Sequence, residues 1–96
     1  MRVAFAVLIA IVVLSADPAA AQGVDLATLK CREFLDSGRE AIGYMMMWLD
    51  GYFTGEDDPA VVDFTRVKHE REKLENYCGR NPTHGLLTAA EEIMSR

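Results

Sequence analysis

Two histidines, two cysteines and a short acidic run are the residues best able to build a reactive centre in this chain. His69-Glu70 begins like a zinc-binding H-E-x-x-H helix, in which a second imidazole one turn on completes the ligand pair. Position 73 is Lys73, so the pair is not formed. His84 follows a turn with no Cys, Asp or Glu at metal spacing, and both histidines read as solvated or weakly paired. Cys31 and Cys78 make neither a C-x-x-C redox pair nor a zinc set. Glu56-Asp57-Asp58 brings carboxylates together, but in an acidic chain such a run reads as a solvated loop rather than an acid–base pair. There is no Ser–His–Asp pattern and no glycine-rich phosphate loop. The reading is of a non-enzyme with no catalytic residue, no metal site and no cofactor.

What remains is surface chemistry. Met45-Met46-Met47-Trp48 is a run of flexible, polarisable side chains suited to partners of varied shape. Consecutive helical residues point about 100° apart, so such a run cannot all face one way. Met45, Met46 and Leu49 read as core, and Met47 as outward. The candidate surface for partners or self-association is the apolar stripe together with its outward neighbours: Met46, Met47, Trp48, Leu49 and Phe53. Copper binding is weaker, because no Met-x-x-Met series extends the run.

A second set is titratable. Arg66–Glu70, Lys68–Glu72 and Arg71–Glu75 are opposite charges at i,i+4, each stabilising a helix by about 0.2–0.5 kcal/mol and less in this order. His69 would become cationic in acid, one turn before Lys73. His69, Glu70, Glu72 and Glu75 are the pH-responsive candidates.

Helices must position these residues. Gln22 to Ala27 reads as a mobile lead-in, and Thr28 as the cap of a short helix over Leu29 to Asp36 with Cys31, Phe34 and Leu35 on its apolar side. Ser37-Gly38 ends it, with Ser37 available to cap the next. From Arg39, apolar residues at Ile42, Met45, Met46, Leu49, Tyr52 and Phe53 describe one helical stripe. Gly43 and Gly51 within it permit close approach by a neighbour. Thr54 to Pro59 is a loop, and Val61, Val62 and Phe64 carry the chain back toward the core. A third helix spans Thr65 to Cys78 with Val67, Leu74, Tyr77 and Cys78 inward and Gly79 as its cap. Thr83 starts a fourth, bearing Leu86, Leu87, Ala90, Ile93 and Met94. No strand alternation appears, so the expected fold is all-α: about four short helices stapled by one disulfide.

The chain has 96 residues and a net charge of -5, with ten Lys and Arg against fifteen Asp and Glu. That balance disfavours nucleic acid, and the length excludes a dinucleotide-binding or barrel domain. Met1-Arg2, the apolar run Val3 to Leu14 and Ala19-Ala20-Ala21 form a signal-peptide pattern. We expect cleavage after Ala21, leaving residues 22–96 as a single domain. The rival is an uncleaved anchor, but a span needs roughly 20 apolar residues and Asp17-Pro18 ends the run early. In an oxidising compartment, two cysteines default to a disulfide, contributing on the order of 4 kcal/mol by restricting the unfolded chain.

Thr28-x-x-Cys31-x-Glu33-Phe34-Leu35, Trp48-Leu49-x-Gly51-Tyr52, and Tyr77-Cys78-x-x-Asn81-Pro82 followed by Leu86-Leu87 and Ala90 resemble the HdeA/HdeB family. The resemblance covers Thr28 to Met94, and its first and last segments look more like the HdeB branch. It implies a periplasmic, ATP-independent holdase of Gram-negative bacteria, dimeric near neutrality, that acid loosens to expose apolar surface for unfolding client proteins. It also implies the Cys31–Cys78 disulfide. One departure is the absence of the lysine cluster of enterobacterial members toward the chain ends. The second reading is a periplasmic interaction or inhibitor module that binds one partner at neutral pH. Full protonation of the carboxylates would take the exported chain to about +12, a swing of about 17 units that strains a compact state by self-repulsion.

Overall fold

The computed structural model describes residues 23–95, so the expected leader over residues 1–21 lies outside the described residues. The described chain is helical throughout: α1 (Cys31–Leu35), α2 (Arg39–Tyr52), α3 (Phe64–Arg80) and α4 (Leu86–Met94), with no strand among the described residues. All four helices contribute to one core. Phe34, Met46, Leu49, Leu74, Leu86 and Met94 fill it beside the Cys31–Cys78 disulfide, whose Cα atoms are 4.9 Å apart.

Helix α1 is too short to stand alone and is held at its start by other chain segments. Its first amides would be left without intrahelical acceptors. The Cys31 N–H donates to the His84 carbonyl at 2.8 Å and the Arg32 N–H to the Pro82 carbonyl at 3.0 Å. The Leu86 N–H returns a bond to the Leu29 carbonyl at 2.8 Å, and Lys30 and Gly85 form an isolated antiparallel bridge. These cross-links explain two shifted boundaries. Lys30, not Thr28, precedes α1, with its N–H donating to Glu33 Oε1 at 2.8 Å. Likewise α4 starts at Leu86 and not Thr83, because residues 82–85 are engaged with α1. Thr28 turns back on Asp25 instead, and Leu26 is buried, so the segment before α1 is packed where a mobile lead-in was expected.

Gly38 joins α1 to α2 at φ 93°, a left-handed conformation that a side chain would strain. It occupies the cap position expected of Ser37, whose hydroxyl donates back to the Glu33 carbonyl at 2.7 Å. Helix α2 buries Ile42, Met45, Met46, Leu49 and Asp50. Tyr52 is exposed, one step round the helix from the inner face, and nothing lies within 4 Å of a Cβ built on Gly43 or Gly51. Neither glycine is a close-approach site.

The loop after α2 is pinned by Gly55, whose N–H donates to Asp58 Oδ2 at 2.8 Å. Val61, Val62 and Phe64 do not rejoin the core; all three are exposed. The buried face of α3 starts one turn later, at Val67, and continues through Glu70, Leu74 and Cys78. Asp63 caps α3 by accepting the Arg66 N–H at 3.0 Å. The helix passes Gly79 and ends at Asn81, whose side-chain amide donates to the Tyr77 carbonyl at 3.0 Å. That bond satisfies a terminal carbonyl without a glycine cap.

Candidate functional site

Helix α2 is apolar on two sides, which sets it apart from its neighbours. Its inner face is the buried set already described. Its outer face carries Tyr44, Met47, Trp48 and Tyr52, exposed by 70%, 39%, 49% and 57%. These positions are three, four and eight residues on from Tyr44, so they share one stripe. The Trp48 and Tyr52 rings stack at 4.8 Å, and Tyr52 meets Phe53 edge-on at 5.0 Å. A helix apolar around most of its girth is one that expects cover on both sides.

Two grooves flank the stripe. One, of about 670 Å³, is lined by Leu26, Met45, Leu87 and the outer aromatics Tyr44, Trp48 and Tyr52. The other, of about 410 Å³, runs between α2 and α3 past Met46, Met47, Phe64 and Val67. Of the candidate surface residues, Met47 and Trp48 lie outward, Phe53 is half-buried, and Met46 and Leu49 are 1% and 0% exposed. Four of the five residues therefore belong to two faces of one helix, and Phe53 caps its end. Met46 and Leu49 can meet a partner only if α2 moves.

Where α2 meets α3, three charged side chains converge. The Arg66 guanidinium donates from Nη2 to Asp50 Oδ1 at 2.9 Å, and its Nε lies 3.7 Å from Glu70 Oε1. Asp50 and Glu70 are 4% and 8% exposed, the two charged residues buried among the described residues. The hydrogen bond that it donates to Asp50 is the main cause that raises the Arg66 guanidinium above its ordinary value. Arg66 therefore stays cationic across the acid and neutral range.

The pH-responsive candidates separate. Glu70 enters this buried cluster, whereas His69 and Glu72 are exposed and Glu75 pairs with Arg71 at 3.5 Å on the surface. The expected Lys68–Glu72 pair is not formed; both side chains are exposed, where water competes for them. His84 has a partner: its Nδ1 lies 2.9 Å from the Tyr77 hydroxyl. Sequence reasoning missed Asp50. The signal was available, since position 50 follows Leu49 on the inward register of the α2 stripe. A carboxylate placed there needs a cationic or hydrogen-bonding partner.

No described helix is long and apolar enough to cross a membrane. No curated protein and no solved structure matches the chain. Residues 1–88 match the HdeA/HdeB family as a whole, without separating its two branches. That match spans the expected leader, both cysteines and the whole of α2 and α3, and it agrees with the disulfide-stapled helical fold. The chain belongs to the HdeA/HdeB family, a family of periplasmic acid-stress chaperones.

Proposed function

We propose that this protein is exported to the periplasm, loses residues 1–21, and acts there as an ATP-independent holdase that is switched on by acid. The observation that carries this reading is the double-sided apolar surface of α2. Its outer stripe is exposed in the folded chain, and its inner face carries Ile42, Met45, Met46 and Leu49 on the same helix. The outer stripe serves self-association near neutrality, as the dimeric behaviour of the family suggests. In acid, dimer loss and loosening of the fold add the inner residues to the exposed surface, and unfolding clients bind there. Methionine suits this task because its unbranched, polarisable side chain adapts to varied apolar partners. We assign no catalytic step and no cofactor.

The test is light scattering of an acid-denatured client from pH 7 to pH 2, with sedimentation of the same samples. The expected outcome is suppressed aggregation between about pH 5 and 2, where carboxylates take up protons, coinciding with loss of the dimer. A protein that remains dimeric and packed at pH 2, with the client precipitating, contradicts it. The exposure of the outer stripe also favours a second reading, a module for one specific partner at neutral pH. Capture of a single stoichiometric partner at pH 7, without acid protection, supports that reading instead.

A further inference from the structure

We infer that acid releases α2 alone, with Asp50, Arg66 and Glu70 as its latch, while α1, α3 and α4 stay together. The inner face of α2 then becomes the surface for unfolded segments rich in apolar side chains. The inference rests on the acid-chaperone reading and specifies which part of the fold opens.

The ties of the two regions differ in chemistry. The disulfide joins α1 to α3, and the backbone bonds from Cys31, Arg32 and Leu86 join α1 to the segment entering α4. None of these groups titrates between pH 7 and 2. The buried face of α4 consists of Leu86, Ala89, Ala90 and Met94, without a charged residue. Helix α2 is docked by side chains, and the cluster at its contact with α3 depends on carboxylate charge. The charged groups facing Arg66 are Asp50 from α2, Glu70 from its own helix and Asp63 from the cap just before that helix. Near neutrality, a guanidinium sits among three carboxylates. With all three protonated, it remains as a cation without an anionic partner in this cluster, and Arg39, Lys68 and Arg71 line the groove between the same two helices. The Arg66 side chain is 36% exposed, so it has a path to water. Water then competes with neutral acceptors for a charge that burial penalises.

The flanks of α2 allow such a movement. Gly38 leads into it in a conformation suited to glycine, and residues 55–65 after it are all exposed. The half-buried Phe53, packed on the core directly after α2, would travel with the helix, and from Gly55 to Thr65 no buried side chain follows it. Release would uncover Ile42, Met45, Met46 and Leu49, and would open the core over Phe34 and Leu74.

The experiment is segment-resolved hydrogen exchange on the disulfide-bonded protein, comparing amides of Ile42–Leu49 with those of Ala89–Met94 at each pH. Taking the ratio of protection between the segments cancels most of the pH dependence of intrinsic exchange. Between pH 7 and pH 3, protection of α2 should fall at least about tenfold further than that of α4, as expected for a sub-global opening. Asp50→Asn should move the α2 transition toward neutrality by about one pH unit, while Glu72→Gln, on the exposed side of α3, leaves it in place. Parallel loss of protection in both helices of the wild-type protein overturns the inference. So does an equal shift in both variants. If Asp50→Asn does not fold, the wild-type ratio still decides. No client is present in this measurement, so its failure is distinguishable from failure of the client assay.

Discussion

Two regions share the core but are held by different forces. Around α1 and α4, a covalent bond and three backbone hydrogen bonds tie together segments far apart in sequence. Helix α2, the most apolar of the long helices, is docked instead by methionine, leucine and isoleucine side chains and by a buried ionic cluster. Covalent and backbone ties are indifferent to pH, whereas a carboxylate–guanidinium tie exists only while the carboxylate is charged. On the acid-release reading proposed above, this contrast lets one small chain keep a folded remnant in acid and still yield apolar surface.

The largest effect should come from removing the staple. Reduction, or Cys31→Ser with Cys78→Ser, releases a loop with a sequence separation of 47 and should cost about 4 kcal/mol in denaturant unfolding at pH 7. It should also abolish acid protection of a client rather than improve it, because the clamped region would no longer survive opening. Improved protection by the reduced protein would break the comparison.

Core truncations come next. Leu49→Ala in α2 and Leu86→Ala in α4 both remove fully buried side chains, and each should cost about 2–5 kcal/mol at pH 7. They should differ in acid. Once α2 has opened, Leu49 no longer supports the remaining fold, so at pH 3 only Leu86→Ala should still lower the helical content measured by circular dichroism.

The pH dependence of the latch follows from its sign. A raised guanidinium contributes stability that is fully present below its ordinary titration range and is lost only as pH rises through the raised value. Acid therefore leaves the Arg66 side of the contact intact and acts on Asp50, Glu70 and Asp63. Arg66→Met should flatten the dependence of unfolding free energy on pH between 7 and 3, read from urea transitions. An unchanged slope would place the acid sensitivity elsewhere. The smallest effect belongs to the surface pair. Glu75→Gln, which neutralises the partner of Arg71, should change stability by no more than about 0.5 kcal/mol and leave the opening pH where it was.

Much of this architecture is legible in the residues, because three- and four-residue spacing of apolar positions marks the buried face of each helix. Ile42, Met45, Met46 and Leu49 are an example. The helix boundaries were less legible. Thr28 and Thr83 are good caps by type, yet long-range bonds between residues 29–32 and 82–86 decided where α1 and α4 begin. Gly79 has the residue type of a cap, but Asn81 provides one two residues later. Val61, Val62 and Phe64 show the limit of hydrophobicity as a guide, since apolar type alone does not put a loop residue inside. In the candidate site, Met47 and Trp48 lie on the outside, as the helical step implies. The i,i+4 spacing rightly pairs Arg66 with Glu70 within the helix, but it says nothing of the shorter contact across to Asp50.

The most direct measurement is hydrogen exchange at pH 3 with and without a bound acid-denatured client. Client binding should restore protection to amides of Ile42–Leu49 and leave those of Ala89–Met94 unchanged. Protection that appears on α4, or on neither helix while the client stays in solution, would contradict a client surface built on α2.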